Sequence, residues 1–592
     1  MKATESKPWL KYYKPEDLDL RMPELSIVDY LLWRNADRLD MPAMNYFDRI
    51  FDFYELFENI YNTANAYASI GVKQGDIVVV CAPTTPETIY TFYGLSLLGA
   101  IPNMIDPRYS ALGMREYIEE VDCKYVMTID VSYDKMVEAI HGTKVEKVIV
   151  LSPAESLSPI KRFAYCLKNP MKKNMPEGFI PWGEFLENGK DFETEYLHNH
   201  HDSCCVIVHT GGTTGRSKSV MLSHDAINAV SFQYTKCLMK YTRVSGKDKF
   251  LDIMPPFVAY GLGYGVHLPL GSAITTVIVP QFKVEEFAKL VLKHKPQDIA
   301  GAPSHFLTLL QDKRMKNADL SCFKNACAGG DAISLANEEL VSSFLLKHKC
   351  PYPLTKGYGM TELAAVSTAC MLDINRPGSV GIPHADFLIA AFDPETGEEL
   401  EMGEVGEICI HGPTMMMGYY NQPEETAHIM RTHADGLKWI HTGDLGYMDE
   451  DGFLYIQGRI KRVIIRPDGF KVYPHVIEDA ISSCPDVAMC TVVGTAAIND
   501  VQGQLPHAFF TLRPECTKSA DEVIAELKKI CVEHLVEYIY PEYYTCIDEM
   551  PMTAVGKVDY KELEKRALVM LPTTTWTVMP SGVQGSQQTQ IV

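Results

Sequence analysis

The stretch "HTGGTTGRSKSV", His209 to Val220, follows the apolar run Cys204-Cys205-Val206-Ile207-Val208 and precedes "MLSHDAINAVSFQY". The run reads as a strand and the following stretch as a helix, which leaves a glycine- and hydroxyl-rich loop with one lysine between them. Such a loop can surround phosphate with backbone N–H groups and set a cation beside it. The Walker-type loop requires G-x-x-x-x-G-K-[ST]. Here Gly212 is followed five residues later by Ser217, then by Lys218 and Ser219, so the second glycine is missing. The same composition suits a plain turn, and the loop alone does not decide.

Upstream, the helical pattern "FDFYELFENIYNTANAYASIG" leads through "VKQGD" into "IVVV", and a further apolar helix follows "APTTPE". The alternation recurs at "KYVMTID", "KVIVL", "CCVIVH", "ITTVIV" and "NACAGG". Strands that alternate with helices predict an α/β fold, with mostly parallel, doubly wound sheets covered on both faces. From about Gly378 to Gly458 short strands and turns dominate, which predicts a β-barrel-like or antiparallel subdomain. After "GRIKR" the order strand, helix, strands, helix suffices for a small α+β domain. The predicted division is an N-terminal domain over 1–460, a C-terminal domain over 461–571 and a polar, disordered tail over 572–592.

The 592 residues can bury a large core, and 76 acidic against 55 basic residues give a formal charge of −21. That charge argues against nucleic acid as a partner. Small anions remain admissible, since local N–H dipoles and a few cations bind them whatever the net charge. The start, "MKATESKPWLKYYKPEDLDL", has charges and prolines where a signal peptide needs an apolar core, and no run of about 18 apolar residues occurs. A cytoplasmic location is expected. The 16 cysteines form no paired C-x-x-C clusters and have no His partners at zinc spacing, so reduced and mostly buried thiols are expected.

Three further stretches carry chemistry: "GYGMTE" from Gly357, "WIHTGDLGYMDEDGFLYIQGRIKR" from Trp439 to Arg462, and "PMTAVGKVDY" from Pro551 to Tyr560. With these the chain resembles the adenylate-forming superfamily of acyl-CoA synthetases, luciferases and adenylation domains of peptide synthetases. Within it the chain is most like a fatty-acid–CoA ligase. The family's phosphate loop reads roughly T-S-G-T-T-G-x-P-K-G, against Thr210-Gly211-Gly212-Thr213-Thr214-Gly215-Arg216-Ser217-Lys218-Ser219 here. Three small-residue positions differ and the T-G-x-x-K skeleton is kept. "GVKQGDIVVVCAPTTPE", "GEICIHGPTMMMGYYNQPEET" and "GFKVYPHVIED" match in the same order, so the resemblance spans about residues 45–565.

The resemblance implies a role for each matching residue. Thr210, Gly211, Gly212, Thr213, Thr214 and Gly215 would hold the β- and γ-phosphates of ATP, with Lys218 as a nearby cation. Gly330 and Asp331, in "AGGDAI", would line the adenine, and Tyr358, with Gly359 beside it, would stack on the base. Thr361 would reach the α-phosphate and Glu362 would hold Mg²⁺. Asp444 would bind the ribose hydroxyls with support from Arg459, and Lys557 would meet the α-phosphate and the attacking carboxylate. Taken singly, Asp444 and Arg459 also read as a surface pair and Lys557 as a solvated lysine. The implied reaction forms an acyl-adenylate and pyrophosphate, after which a thiol such as CoA displaces AMP. In the family the small domain turns between the two steps about a hinge that matches Lys461.

Where many acyl-CoA synthetases have P-x-F-H-x-x-G, this chain has "PPFVAYG", with Val258 in place of the gating histidine. Phe257, Val258 and Tyr260 are the candidate pocket residues. No acid lies between Phe257 and Tyr264 to pair with an α-ammonium, so a plain carboxylic acid is favoured over an amino acid. A medium- or long-chain fatty acid is the expected substrate. Delivery to a separate carrier protein and a non-catalytic nucleotide-binding role are the alternatives; Glu362 and Lys557 together speak against the latter. Finally, "KRFAYCLKNPMKK", Lys161 to Lys173, sets five basic residues among Phe163, Tyr165 and Leu167. It reads first as a solvated insertion loop and second as a weak peripheral contact with an anionic membrane.

Overall fold

The computed structural model describes residues 1–169, 175–198, 200–210, 217–237, 240, 243–468, 470–496, 503–553 and 557–570. Among these, eight strands form one sheet in the spatial order Gly418–Tyr419, Ser219–Ser223, Cys204–His209, Ile101–Ile105, Ile77–Cys81, Tyr125–Ile129, Lys147–Leu151, Phe179–Pro181. From Cys204–His209 to Phe179–Pro181 every pairing is parallel. Side chains alternate between faces along a strand, and in Ile77–Cys81 both sets are buried. Val78 and Val80 pack with Phe57 and Phe92 on one side, Val79 and Cys81 with Met114 and Ile118 on the other. This is why "IVVV" is continuously apolar.

A second sheet has nine strands, with a parallel centre made by Thr355–Tyr358, Asn325–Ala328, Asp298–Gly301, Lys249–Asp252, Thr275–Ile278 and Pro42–Tyr46. A third sheet of five strands, with Leu388–Phe392, Gly406–His411, Lys438–Met448 and Leu454–Arg459 among them, is antiparallel throughout. The expected α/β architecture with an antiparallel subdomain is thus present.

A smaller C-terminal unit follows. Strands Val487–Ala496, Gln504–Leu512 and Tyr543–Cys546 carry helices Pro474–Ser482 and Ala520–His534 on one face. Val558, Leu563 and Ala567 of the last segment pack with Val493 and Phe509 on the other. Helix Ala520–His534 starts where "SADE" says it should. Ser519 accepts from Glu522 N and Glu522 accepts in turn from Ser519 N at 2.7 Å, a reciprocal cap.

Two local expectations are corrected. "MLSHDAINAVSFQY" is not all helix: Ser219–Ser223 is a strand, paired antiparallel with Cys204–His209, and the helix is His224–Lys236, capped by Ser223. The segment after Pro159 is not an insertion loop throughout, because Pro159–Lys168 is a helix. The tail over 572–592 lies outside the described residues.

Candidate active site

The Thr/Gly loop joins two antiparallel strands rather than a strand and a helix, which sets it apart from a Walker loop geometrically as well as in sequence. Its base is closed by Thr210 and Lys218. Thr210 N donates to Lys218 O at 3.1 Å, and Lys218 N donates to Thr210 Oγ1 at 3.0 Å. Gly211, Gly212, Thr213, Thr214 and Gly215 lie outside the described residues. Lys218 Nζ pairs with Glu425 and stands 4.7 Å over the ring of Tyr419. The Tyr419 hydroxyl donates to Glu362 Oε1 at 2.7 Å.

Glu362 is buried in the short 3₁₀ turn Thr361–Leu363, and its main-chain oxygen accepts from Met416 N at 2.9 Å. The turn ends in strained backbone, since Ala364 and Ala365 both have positive φ, 50° and 120°. Gly359 is what lets the chain fold back there: a Cβ at that position would sit 1.9 Å from Ala365 O. The glycines of "GYGMTE" therefore serve close backbone packing.

Tyr358 ends the strand Thr355–Tyr358 and donates its hydroxyl to Asp444 Oδ2 at 2.5 Å. Asp444 and Arg459 are direct cross-strand neighbours, and Arg459 Nε reaches Asp444 Oδ1 at 2.7 Å. Burial raises the Asp444 carboxyl above the usual range against the opposing pull of Arg459, while Asp444 holds the Arg459 guanidinium up.

Behind Asp444 stands a set of residues that sequence reasoning missed. Thr442 Oγ1 donates to Ile408 O at 2.7 Å and accepts from Asp444 N at 3.1 Å. Glu407 accepts from Gly443 N at 3.0 Å and lies 2.8 Å from His441 Nδ1. Cys409 faces His441 across the strands, and His441 Nε2 meets His433 Nε2 at 2.9 Å. Cys409, His433 and His441 are thus neighbours that the spacing in the chain had not indicated. The His441 ring lies between its partners, with Glu407 and Cys409 at Nδ1 and His433 at Nε2. Glu407, His441 and His433 thus form a chain of hydrogen bonds, joined to the backbone next to Asp444 through Gly443 N.

Lys557 comes from the C-terminal unit and is half-buried beside this group. Its neighbour Val558 donates N–H to Asp331 Oδ2 at 3.4 Å, which docks the segment on the large domain. Burial pulls the Lys557 ammonium below the ordinary lysine range, and Asp331, Asp444 and Glu362 pull the other way. Asp331 is raised by its own burial, with Lys557 opposing. Gly330 is exposed at φ 83° next to the ring of Tyr260. Lys461 is exposed in the turn Ile460–Arg462. It sits between Arg459, which faces Asp444, and Arg462, which pairs with Glu478 and lies 3.7 Å from the Tyr560 ring.

Phe257 is buried and its carbonyl accepts from His209 N at 3.2 Å, so the pocket stretch is tied to the loop strand. Val258 and Tyr260 are half-buried, and Tyr260 opens a π-helical segment, Tyr260–His267. Such segments are often found at functional sites. Asp252, upstream of the stretch Phe257 to Tyr264, sits against Gly265 of this segment. Burial pushes its carboxyl up to about 8, so it is neutral near pH 7.

Residues 32–420 match the family model for the AMP-binding enzyme, and residues 476–557 that for its C-terminal domain. The chain belongs to the AMP-binding enzyme family. A long-chain-fatty-acid–CoA ligase of Bacillus subtilis is 30% identical, over 93% of this chain and 96% of its own length. A probable 4-coumarate–CoA ligase of Dictyostelium discoideum is 29% identical, over 86% of this chain and 88% of its own. The fold is shared with ATP-bound MatB from Rhodopseudomonas palustris, at TM-score 0.76 and 24% identity over 91% of this chain and 99% of that one. It is shared too with the anthranilate CoA ligase AuaEII, at TM-score 0.77 and 21% identity over 93% and 98%. The protein is thus an AMP-binding enzyme related to acid–CoA ligases, with ATP-dependent adenylation as the family chemistry and ATP and CoA as substrates. Among its described residues no helix is long and apolar enough to cross a membrane.

Proposed function

We propose that this AMP-binding enzyme activates a medium- or long-chain fatty acid as its acyl-adenylate and transfers the acyl group to CoA. The observation that carries the reading is the seating of Lys557, from the C-terminal unit, among Asp331, Asp444, Arg459 and Glu362. An ammonium there meets the two anions that must be brought together, the carboxylate and the α-phosphate. The carboxylate oxygen attacks the α-phosphorus and pyrophosphate leaves. The CoA thiol then attacks the acyl carbonyl, loses its proton, and AMP departs.

In this reading Thr210 to Gly215, with Lys218, take the β- and γ-phosphates, Gly330, Asp331 and Tyr358 take the adenine, and Asp444 with Arg459 takes the ribose. Thr361 reaches the α-phosphate. Glu362 fits Mg²⁺, being a buried hard oxygen donor, and the ion would spread the phosphate charge. The N-terminal domain ends at 460, the C-terminal domain covers 461–571, and Lys461 is the hinge about which the latter turns before CoA attacks. The exposure of Lys461 between two arginines, each anchored on its own unit, supports that assignment.

The fatty-acid assignment is supported by the apolar Phe257 and Val258 and by the lack of an acid between Phe257 and Tyr264 to pair with an α-ammonium. A separate carrier protein is the alternative acceptor. A cytoplasmic location fits the 16 free cysteines, of which only Cys166 is exposed. Pyrophosphate release across aliphatic acids of increasing length, aromatic acids and amino acids tests the reading, with CoA and then a carrier protein as acceptor. Each added methylene should favour binding by about 0.8 kcal/mol until the pocket ends. A preference for an aromatic or amino acid contradicts the fatty-acid assignment.

A further inference from the structure

The helix Pro159–Lys168 is built the wrong way round for a helix of a water-soluble core. With about 100° between successive residues, Ile160, Phe163 and Leu167 fall on one side and Tyr165 on the opposite side. The side that meets the protein is the one with Tyr165, which faces Asp130 and Ser152. Ile160, Phe163 and Leu167 point outward and are 83%, 67% and 69% exposed, and no residue of the helix is buried. Lys161 anchors one flank by donating to Phe47 O at 2.5 Å and pairing with Asp48 at 3.0 Å. Arg162 anchors the other, pairing with Glu155 at 2.9 Å. The contact through Lys161 ties the helix to the hairpin at Phe47 and Asp48.

The charge pattern names the partner. The chain carries a formal −21, yet between Glu155 and Glu177 there is no acidic residue. Lys161 and Arg162 fall on the Tyr165 side, paired with Asp48 and Glu155, while Lys168 is exposed beside the stripe; an apolar stripe within a basic, acid-free stretch is the pattern of a helix that lies in the headgroup boundary of an anionic bilayer. The C-terminal residues 571–592 contain no charged side chain to complement this basic stretch.

We infer that Ile160, Phe163 and Leu167, with the exposed Lys168, seat the enzyme on an anionic lipid surface.

Co-sedimentation with vesicles tests this without any acyl substrate, so its outcome is independent of which acid the enzyme activates. Full-length protein is mixed with phosphatidylcholine vesicles, or with vesicles that also hold about 30 mol% phosphatidylserine, at roughly 0.1 M and 0.5 M salt. The expected result is binding to the anionic vesicles that weakens with salt and falls roughly ten-fold or more in Phe163→Glu/Leu167→Glu. Both positions are exposed, so ATP–pyrophosphate exchange in solution should be unchanged in that variant. Wild-type protein that stays in the supernatant with both vesicles overturns the inference, as does a variant that binds equally well. Binding indifferent to lipid charge and salt overturns the anionic partner. Vesicle-free dimerisation that the variant abolishes would show instead that the face joins two copies of the chain.

Discussion

The Tyr419 hydroxyl donates to Glu362 Oε1 at 2.7 Å while the ring of the same tyrosine lies beneath the Lys218 ammonium at 4.7 Å. One aromatic side chain therefore fixes both the base of the Thr/Gly loop and the carboxylate assigned to Mg²⁺. Burial and the neighbouring Glu362 hold the phenol far above its ordinary range, so it remains a donor at any working pH.

Tyr419→Phe keeps the ring under Lys218 and removes only the donor to Glu362. Adenylation should fall about ten-fold and the Mg²⁺ concentration for half-maximal rate should rise, with stability lowered by about 1 kcal/mol. ATP–pyrophosphate exchange titrated with Mg²⁺ checks this. An unchanged Mg²⁺ dependence would mean that Glu362 does not hold the ion.

Thr442 should matter to ATP binding although it is not assigned to touch ATP. Thr442→Val removes the acceptor of Asp444 N and leaves Ile408 O without its donor, at a cost of about 1–2 kcal/mol in stability. The KM for ATP should rise roughly five-fold, and kcat should change little, since Thr442 acts only through the placement of Asp444. Asp444→Asn, which also removes the charge facing Arg459, should raise that KM further. Equal KM values in Thr442→Val and wild type would show that Asp444 needs no such support.

The parts of the site legible in the chain were those whose meaning is local. The T-G-x-x-K skeleton, the alternation of strand and helix, and the glycines of "GYGMTE" announce themselves within a few residues. What escaped depends on partners far away. "SVMLS" becomes a strand because it pairs with Cys204–His209. Cys409 meets His441 only through the register of two strands in the third sheet. Val558 bonds to Asp331 across 227 positions of sequence, and no pattern within "GKVDY" specifies that contact. The amphipathic period of Pro159–Lys168 is readable, but which of its sides would meet the protein is not.

Glu87 should make the fold sensitive to pH. It is buried, Ser156 Oγ donates to its Oε1 at 2.6 Å, and its Oε2 has no partner among the described residues. Burial raises its pKa from 4.5 to about 7. Between those values the folded protein keeps the proton that the unfolded chain releases, so stability from this group falls as pH rises through the window. The full loss, reached above about pH 7, is of order 3 kcal/mol. Glu87→Gln keeps the shape and removes the titration. Its melting temperature relative to wild type should therefore climb from pH 5 to pH 8, and a constant difference over that range would contradict the assignment.

The two half-reactions of Lys557→Ala, measured separately, test the proposed chemistry most directly. Lys557 is assigned to the step that brings carboxylate and α-phosphate together, and its loop turns away before CoA attacks. Formation of acyl-adenylate from ATP and acid should fall roughly a hundred- to a thousand-fold, as for loss of other electrostatic stabilisers. Transfer from supplied acyl-adenylate to CoA should proceed at close to the wild-type rate. If both steps fall together in a folded protein, or if adenylation survives, Lys557 does not serve the first step alone and the two-position mechanism fails for this enzyme.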